Sequence, residues 1–288
     1  MADEKTFSPR LAKAGIGLYL LFCLMLFILV RFPYDTFRGR LEETMSSLVG
    51  RPVTLGYISS SLPFGLKVEG MSIDENPFAK ELKIRPGLIS LLSGSLDLSV
   101  EAFFPSGSLS GSVRTPLDAM GESLSVTARM DNLDSQALQH LFPSGVCPRG
   151  IITGTIDISR PNASPREMEG RADIIWKDGY LPIVHSPLNL PLPLDGIQFT
   201  TLKLESAMEK GLITLEGLEL AGDISGSVKG SIRIMEPLSR SRLNLSGEVS
   251  LPPDLALLLG AQAGSSTGGM RFSLRGTLDR PRFRLLNR

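Results

Sequence analysis

The chain contains few cysteines, histidines and tryptophans. Among 288 residues it has two cysteines, two histidines and one tryptophan. Cys23 lies in an apolar run near the N-terminus and Cys147 lies in the remainder of the chain, so no disulfide can form within that remainder. Its fold therefore depends on the burial of apolar side chains and on backbone pairing.

Patterns of catalytic and metal-binding residues are also lacking. His140 and His185 have no cysteine, histidine or carboxylate neighbours at metal-ligand spacing, which favours a structural role for each. Residues 107–111 (GSLSG) have Leu109 where a Gly-x-Ser-x-Gly motif has its serine, and no helix follows them as a nucleophile elbow requires. The glycines lack the strand-helix context of nucleotide-binding loops. We predict a protein that is not an enzyme and that needs no cofactor or metal.

Neither sign of charge is in excess. The chain has 30 basic and 30 acidic residues, so no nucleic acid or anionic surface is predicted as a bulk partner. It also contains 29 glycines, 20 prolines and 42% hydrophobic residues. This composition is typical of a turn-rich β protein with aliphatic packing.

One long uncharged apolar run is present, over residues 14–30. It is at the short end of what crosses a bilayer core of roughly 30 Å, and Phe32 extends the apolar zone past Arg31. The sequence therefore predicts a transmembrane anchor over 14–32.

A cleaved signal peptide is the alternative, because Lys5, Arg10 and Lys13 form a basic region before the run. The run is longer than the apolar region of most signal peptides, and no small-x-small cleavage site follows it. These features favour an uncleaved anchor.

The orientation follows from the short basic tail, which predicts that residues 1–13 are cytoplasmic. Arg31, Arg38 and Arg40 on the far side weaken this bias. Because no further apolar span follows, residues 51–288 are then expected in the periplasm of a bacterium, with the protein a single-pass inner-membrane protein.

An amphipathic helix is predicted over 33–50, directly after the anchor. Its apolar residues at helical spacing are Tyr34, Phe37, Leu41, Met45 and Leu48. The helix could lie as a collar on the bilayer or cap the open end of a sheet. Glu42 and Glu43 dilute the basic face that a membrane-surface helix needs, which favours the cap.

From Val53 onward the hydrophobic period changes to two, which predicts about a dozen strands with one apolar face each. Between residues 96 and 102, for example, leucine, valine and alanine alternate with polar residues. Asp178-Gly179 predicts a turn after the strand that contains Trp176.

The strand pattern is interrupted in a few places. Short helices are predicted over 87–92, 135–142 and 254–259, and a flexible loop over 260–269. The Pro-rich stretch 182–193 predicts a linker between two halves or a loop that crosses a sheet edge.

The predicted fold class is mainly β. A sheet with one apolar face must cover that face, and the helices here are too few and too short to do so. A mostly antiparallel sheet must then curl into a sandwich, a barrel or an open trough lined by aliphatic side chains. Glycines within and between the strands permit bulges and strong coiling.

Four segments carry a resemblance to AsmA-like periplasmic proteins. They are 50–55 (GRPVTL), 62–71 (LPFGLKVEGM), 88–96 (LISLLSGSL) and 274–283 (LRGTLDRPRF). Within that group, the size and the single anchor are similar to GspN, the N component of the bacterial type II secretion system. The resemblance implies an AsmA-like periplasmic β domain that acts as a scaffold or assembly factor with other type II secretion components.

The wider resemblance implies an alternative, a lipid-binding or lipid-transfer protein with phospholipid as its partner. Such a protein needs an uncharged apolar groove, because a charge that faces lipid tails is unfavourable. The predicted lining residues are Leu96, Leu98, Val100, Leu124, Val126, Ile174, Leu215 and Leu220. An ordinary closed core predicts the same residues, so the sequence leaves both interpretations open.

Overall fold

The structure is a computed structural model that describes residues 34–61, 65–141, 147–182, 196–250 and 269–286, together with five single positions between 16 and 27. The predicted anchor over 14–32 lies outside the described residues apart from those five positions, which are helical. Within the described part of the chain, no helix is long and apolar enough to cross a membrane.

Fourteen strands form one antiparallel sheet in the described residues. They are β1 (Val53–Ser61), β2 (Gly65–Ile73), β3 (Asn76–Pro86), β4 (Ser95–Phe103), β5 (Ser108–Pro116), β6 (Leu124–Asp134), β7 (Arg149–Arg160), β8 (Glu169–Pro182), β9 (Gly196–Glu209), β10 (Leu212–Gly222), β11 (Ser225–Arg233), β12 (Arg242–Ser250), β13 (Gly269–Thr277) and β14 (Pro281–Leu286). Each strand pairs with its neighbour in sequence, so β1 and β14 are the edges and the sheet is not closed. The prediction of a mainly β, antiparallel fold is confirmed.

Few helices accompany the sheet. They are α1 (Tyr34–Val49), α2 (Leu88–Leu92) and short 3-10 helices at Ser135–Leu141, Pro165–Glu167 and Leu238–Arg240. The helix predicted over 254–259 lies outside the described residues. So do 183–193 of the Pro-rich stretch, where His185 lies, and 260–268 of the predicted loop.

The turn predicted at Asp178-Gly179 is wrong. These residues lie inside β8, where Lys177 is opposite Ile151 and Tyr180 is opposite Arg149. The strand β8 therefore has one more residue than β7 across this interval, which is a β-bulge. Asp178 has a φ of 49°. A dipeptide that adopts this conformation easily can form a bulge as well as a turn.

The buried core lies at one end of the sheet. Leu55 and Leu133 are 1% and 0% exposed, and both belong to a cluster that extends from β1 to β9. Trp176 and Phe199 meet edge to face in this cluster, with ring centroids 5.1 Å apart. Leu41 of α1 and residues of the 3-10 helix Ser135–Leu141 pack against it. The two helices thus cover this end of the sheet.

Candidate functional site

The strand register determines which side chains share a face of the sheet. Leu98 lies opposite Val113, Val113 opposite Val126, and Val126 opposite Ile158. Directly opposed residues in antiparallel strands point to the same side. Leu98 and Val126 therefore share one face although 28 positions separate them in the sequence.

The same reasoning extends across the later strands. Met130, four positions after Val126, lies opposite Gly154, which lies opposite Ile174. Ile174 in turn lies opposite Leu204 of β9, and Leu204 opposite Leu218 of β10. Alternate residues of a strand lie on the same side of the sheet, so all eight predicted lining residues share one face.

We call this side of the sheet the apolar face. Its larger side chains on alternate strands are Leu96, Leu98, Val100, Leu124, Val126, Met130, Ile174, Trp176, Leu215, Leu218, Leu220, Leu243, Leu245 and Val249. Among the paired positions of the described strands, Arg160 is the one charged residue on this side. It lies at the end of β7, where its guanidinium donates to the Gly121 carbonyl at 2.7 Å. The apolar face is thus uncharged along almost its whole length.

The eight predicted lining residues are all half-buried. Val100, Ile174 and Leu220 pack against the core cluster. The register places the other five towards the opposite ends of their strands, away from α1. The described structure therefore covers one end of the apolar face more completely than the other.

Glycines recur on the apolar face, a feature that the sequence pattern alone did not show. They are Gly111, Gly154, Gly170, Gly226, Gly230, Gly247 and Gly276. At Gly154 a Cβ atom would lie 2.4 Å from the Asp173 carbonyl oxygen and 2.8 Å from the Ile174 Cα. Strands β7 and β8 therefore approach more closely than any side chain at Gly154 allows. The detectable signal was spacing, since each of these glycines stands an even number of residues from the apolar-face side chains of its own strand.

The opposite side of the sheet carries the charged residues. Lys67 bridges Glu69 and Glu81 at 2.8 and 3.0 Å, and Lys83 contacts Glu81 at 2.6 Å. Hydrogen bonds from Lys83 and Lys67 hold the pKa of Glu81 below its ordinary value. Ion pairs that remain in contact with solvent in this way contribute little to stability.

The helix α1 covers the beginning of β1 at the edge of the sheet. The Leu55 backbone N–H donates to Glu42 Oε1 at 2.8 Å, and the Val53 N–H donates to Ser46 Oγ at 2.8 Å. The bond from Leu55, helped by Arg38 at 3.0 Å, holds the pKa of Glu42 below its ordinary value of 4.5. The helix thus satisfies backbone groups that an edge strand otherwise leaves open.

This contact predicts a pH-dependent loss of stability in E42Q. At pH 7 we expect the free energy of unfolding to fall by about 1 kcal/mol, because a charge-assisted bond becomes a neutral one. A lowered pKa stabilises the fold above pH 4.5 and loses this effect as pH falls through the folded-state value, so the difference should vanish in acid. Urea unfolding of the full chain in a non-ionic detergent measures this. E43Q, an exposed change one residue away, should have no effect at any pH.

In the described ranges, no group of three or more histidine, cysteine, aspartate or glutamate side chains could hold a metal ion. Cys147 is exposed and unpaired with Cys23.

Comparisons with known protein families, characterised proteins and solved structures returned no match for this chain. A functional assignment must therefore rest on the geometry of the apolar face, the edges of the sheet and the resemblance in the sequence.

Proposed function

We propose that the apolar face binds acyl chains and that the protein handles phospholipid beside a bacterial inner membrane. The observation that supports this most is the continuity of the face. At the paired positions of the described strands it is uncharged apart from Arg160, and many of its side chains are half-buried on a sheet that does not close. An ordinary closed core would bury them fully.

The energetics of acyl-chain binding fit such a surface. Burial of apolar area contributes roughly 25 cal/mol per Å², without directional requirements, so a face of leucine, valine and isoleucine suits chains of varied structure. A charge on the face would oppose binding, because it would lose its hydration with no partner. Extended apolar surface on a folded protein commonly marks an interaction site.

The N-terminal segment supports a place at the membrane. Ile16, Tyr19, Leu20 and Phe27 are helical and between 61% and 67% exposed. Apolar side chains directed outward from a helix are typical of contact with lipid. In this proposal residues 14–32 anchor the protein, and the sheet lies on the periplasmic side, where chains leaving the bilayer can reach its apolar face.

Site-specific photocross-linking in cells tests the proposal. A benzoylphenylalanine at Val126 on the apolar face should give a covalent adduct with phospholipid, detected by labelling the lipid phosphate. The matched control is Thr127, whose hydroxyl lies 2.9 Å from that of Ser112 on the other side of the sheet. We expect at least a tenfold stronger lipid signal at Val126 than at Thr127, because successive side chains face opposite sides.

A second pair guards against a local artefact. Leu215 and Thr214 on β10 repeat the comparison on a distant strand, with Leu215 half-buried and Thr214 exposed. Equal lipid adducts at both members of each pair would contradict the proposal, as would their absence from Val126 and Leu215 alike.

A scaffold in type II secretion is the second candidate, favoured by the edge at β14. Among the described elements, none covers this strand as α1 covers β1. An open edge can pair with a strand of another protein. However, β14 has only six residues, and Arg282 and Arg284 are exposed on it, features that discourage such pairing. A cross-linker at the exposed Leu286 in the same cells should then capture a secretion component, and loss of the gene should reduce exoprotein release.

A further inference from the structure

A basic concavity lies on the polar side of the sheet at its C-terminal edge. It has a volume of about 550 Å³ and extends over β11 to β14. Its lining residues with polar side chains are Asn244, Ser246, Ser273, Arg275, Arg282 and Arg284. None of the residues that line it is acidic. This site is separate from the apolar face, because these side chains point to the other side of the sheet.

The strand register brings the three arginines together. Arg275 of β13 lies directly opposite Arg282 of β14, and Arg284 lies opposite Ser273. Residues two apart on a strand share a side, so Arg282 and Arg284 are neighbours on β14. Three guanidinium groups therefore surround one space.

The arginines are uncompensated within the described residues. None of the three forms an ion pair there, whereas the nearby Arg271 pairs with Glu248 at 3.5 Å. Like charges directly opposite each other on neighbouring strands are destabilising. The Arg275 and Arg282 pair is thus an arrangement that a bound anion would stabilise.

The floor and wall of the concavity add hydrogen-bond donors. Ser273 is 7% exposed and lies opposite Ser246, while Asn244 lies opposite Arg275. The hydroxyl and amide groups can donate to an oxygen anion beside the guanidinium groups. A volume of this size is in the range of small-ligand sites.

We propose that this concavity binds a phosphate-bearing ligand. Arginine pairs well with phosphate because its planar fork donates two parallel hydrogen bonds. A phosphate group has oxygens in several directions and can accept from more than one guanidinium, whereas the two oxygens of a carboxylate lie in one plane. A free anion and a lipid headgroup both supply such a phosphate, and the test separates these two sources.

Isothermal titration calorimetry of the full chain in a non-ionic detergent measures the dissociation constant for each ligand. One arm uses inorganic pyrophosphate, and the other uses dihexanoyl phosphatidylglycerol, a short-chain phospholipid. In R275Q/R282Q/R284Q we expect binding to weaken by at least tenfold, about what the loss of one charge-assisted contact produces. If the arginine substitutions weaken the binding of pyrophosphate, a free anion is sufficient as a ligand. If they weaken the binding of the lipid alone, the ligand is a lipid headgroup.

A charge-matched control separates recognition from net charge. R129Q/R171Q/K177Q removes three exposed basic residues from the same side of the sheet, on β6 and β8. Its affinity should stay within about twofold of the unaltered protein, because only long-range attraction changes. If the triple variant is unstable, the single substitution R284Q takes its place in the titration. Thermal unfolding checks that R284Q is folded. Absence of saturable binding in both arms would overturn the proposal, as would equal losses in the triple variant and its control.

Discussion

Replacement of Gly154 with alanine should lower the free energy of unfolding by about 3 kcal/mol. The added methyl group would lie 2.4 Å from the Asp173 carbonyl oxygen and 2.8 Å from the Ile174 Cα, which are atoms of the β8 backbone. A flexible side chain could move away, but a paired strand can do so only by giving up hydrogen bonds. We therefore expect β7 and β8 to separate locally and the whole sheet to lose cooperativity.

Urea unfolding of the full chain, followed by circular dichroism, measures this effect. Gly217 on β10 provides the control, because a Cβ atom there would meet nothing within 4 Å. G217A should change the free energy of unfolding by less than about 0.5 kcal/mol. If G154A and G217A behaved alike, the close approach of β7 and β8 would be wrong.

Leu133→Ala should be comparably destabilising, by about 3 kcal/mol. Leu133 is 0% exposed, lies opposite Ile152, and belongs to the core cluster at the covered end of the sheet. Its truncation removes apolar contacts and leaves a cavity, a change that typically costs 2–5 kcal/mol for a buried leucine.

Leu124 is the matched control for this prediction. It lies on the same strand and the same face, but it is half-buried and near the other end. L124A should lower the free energy of unfolding by about 1 kcal/mol, since less apolar area is lost from a site that is already partly hydrated. Equal costs at the two positions would show that the apolar face is packed uniformly, as in a closed core.

The alternating pattern was sufficient to predict the antiparallel β class and the residues of the apolar face. Leu98 and Val126 could be assigned to apolar sides of their own strands from spacing alone. That they share one surface depends on the pairing of neighbouring strands. Short connections, such as the two residues between Gly222 and Ser225, already favour pairing in sequence order.

Local irregularities were harder to predict. The dipeptide Asp178-Gly179 is suited to a bulge as well as to a turn, and only pairing with the neighbouring strand decides between the two. Similarly, Leu215 and Leu218 belong to one strand whose register shifts between them. The position of a bulge depends on pairing across strands, which periodicity along one strand does not contain.

The basic concavity had almost no signal in the sequence. Its arginines lie at 275, 282 and 284 in a chain with equal numbers of acidic and basic residues. Only the opposition of Arg275 and Arg282 across two strands concentrates the charge. Overall neutrality argued against a bulk anionic surface, and it could not exclude a local anion site.

The order of the strands has a consequence for how such a protein can evolve. Because every strand pairs only with its neighbours in sequence, no contact between distant strands fixes their number. Duplication or deletion of a two-strand hairpin would preserve the direction of the remaining strands and the side on which each residue lies. The length of the apolar face could therefore change in steps of one hairpin, with the edge next to α1 and the arginine-rich edge at β14 both left intact.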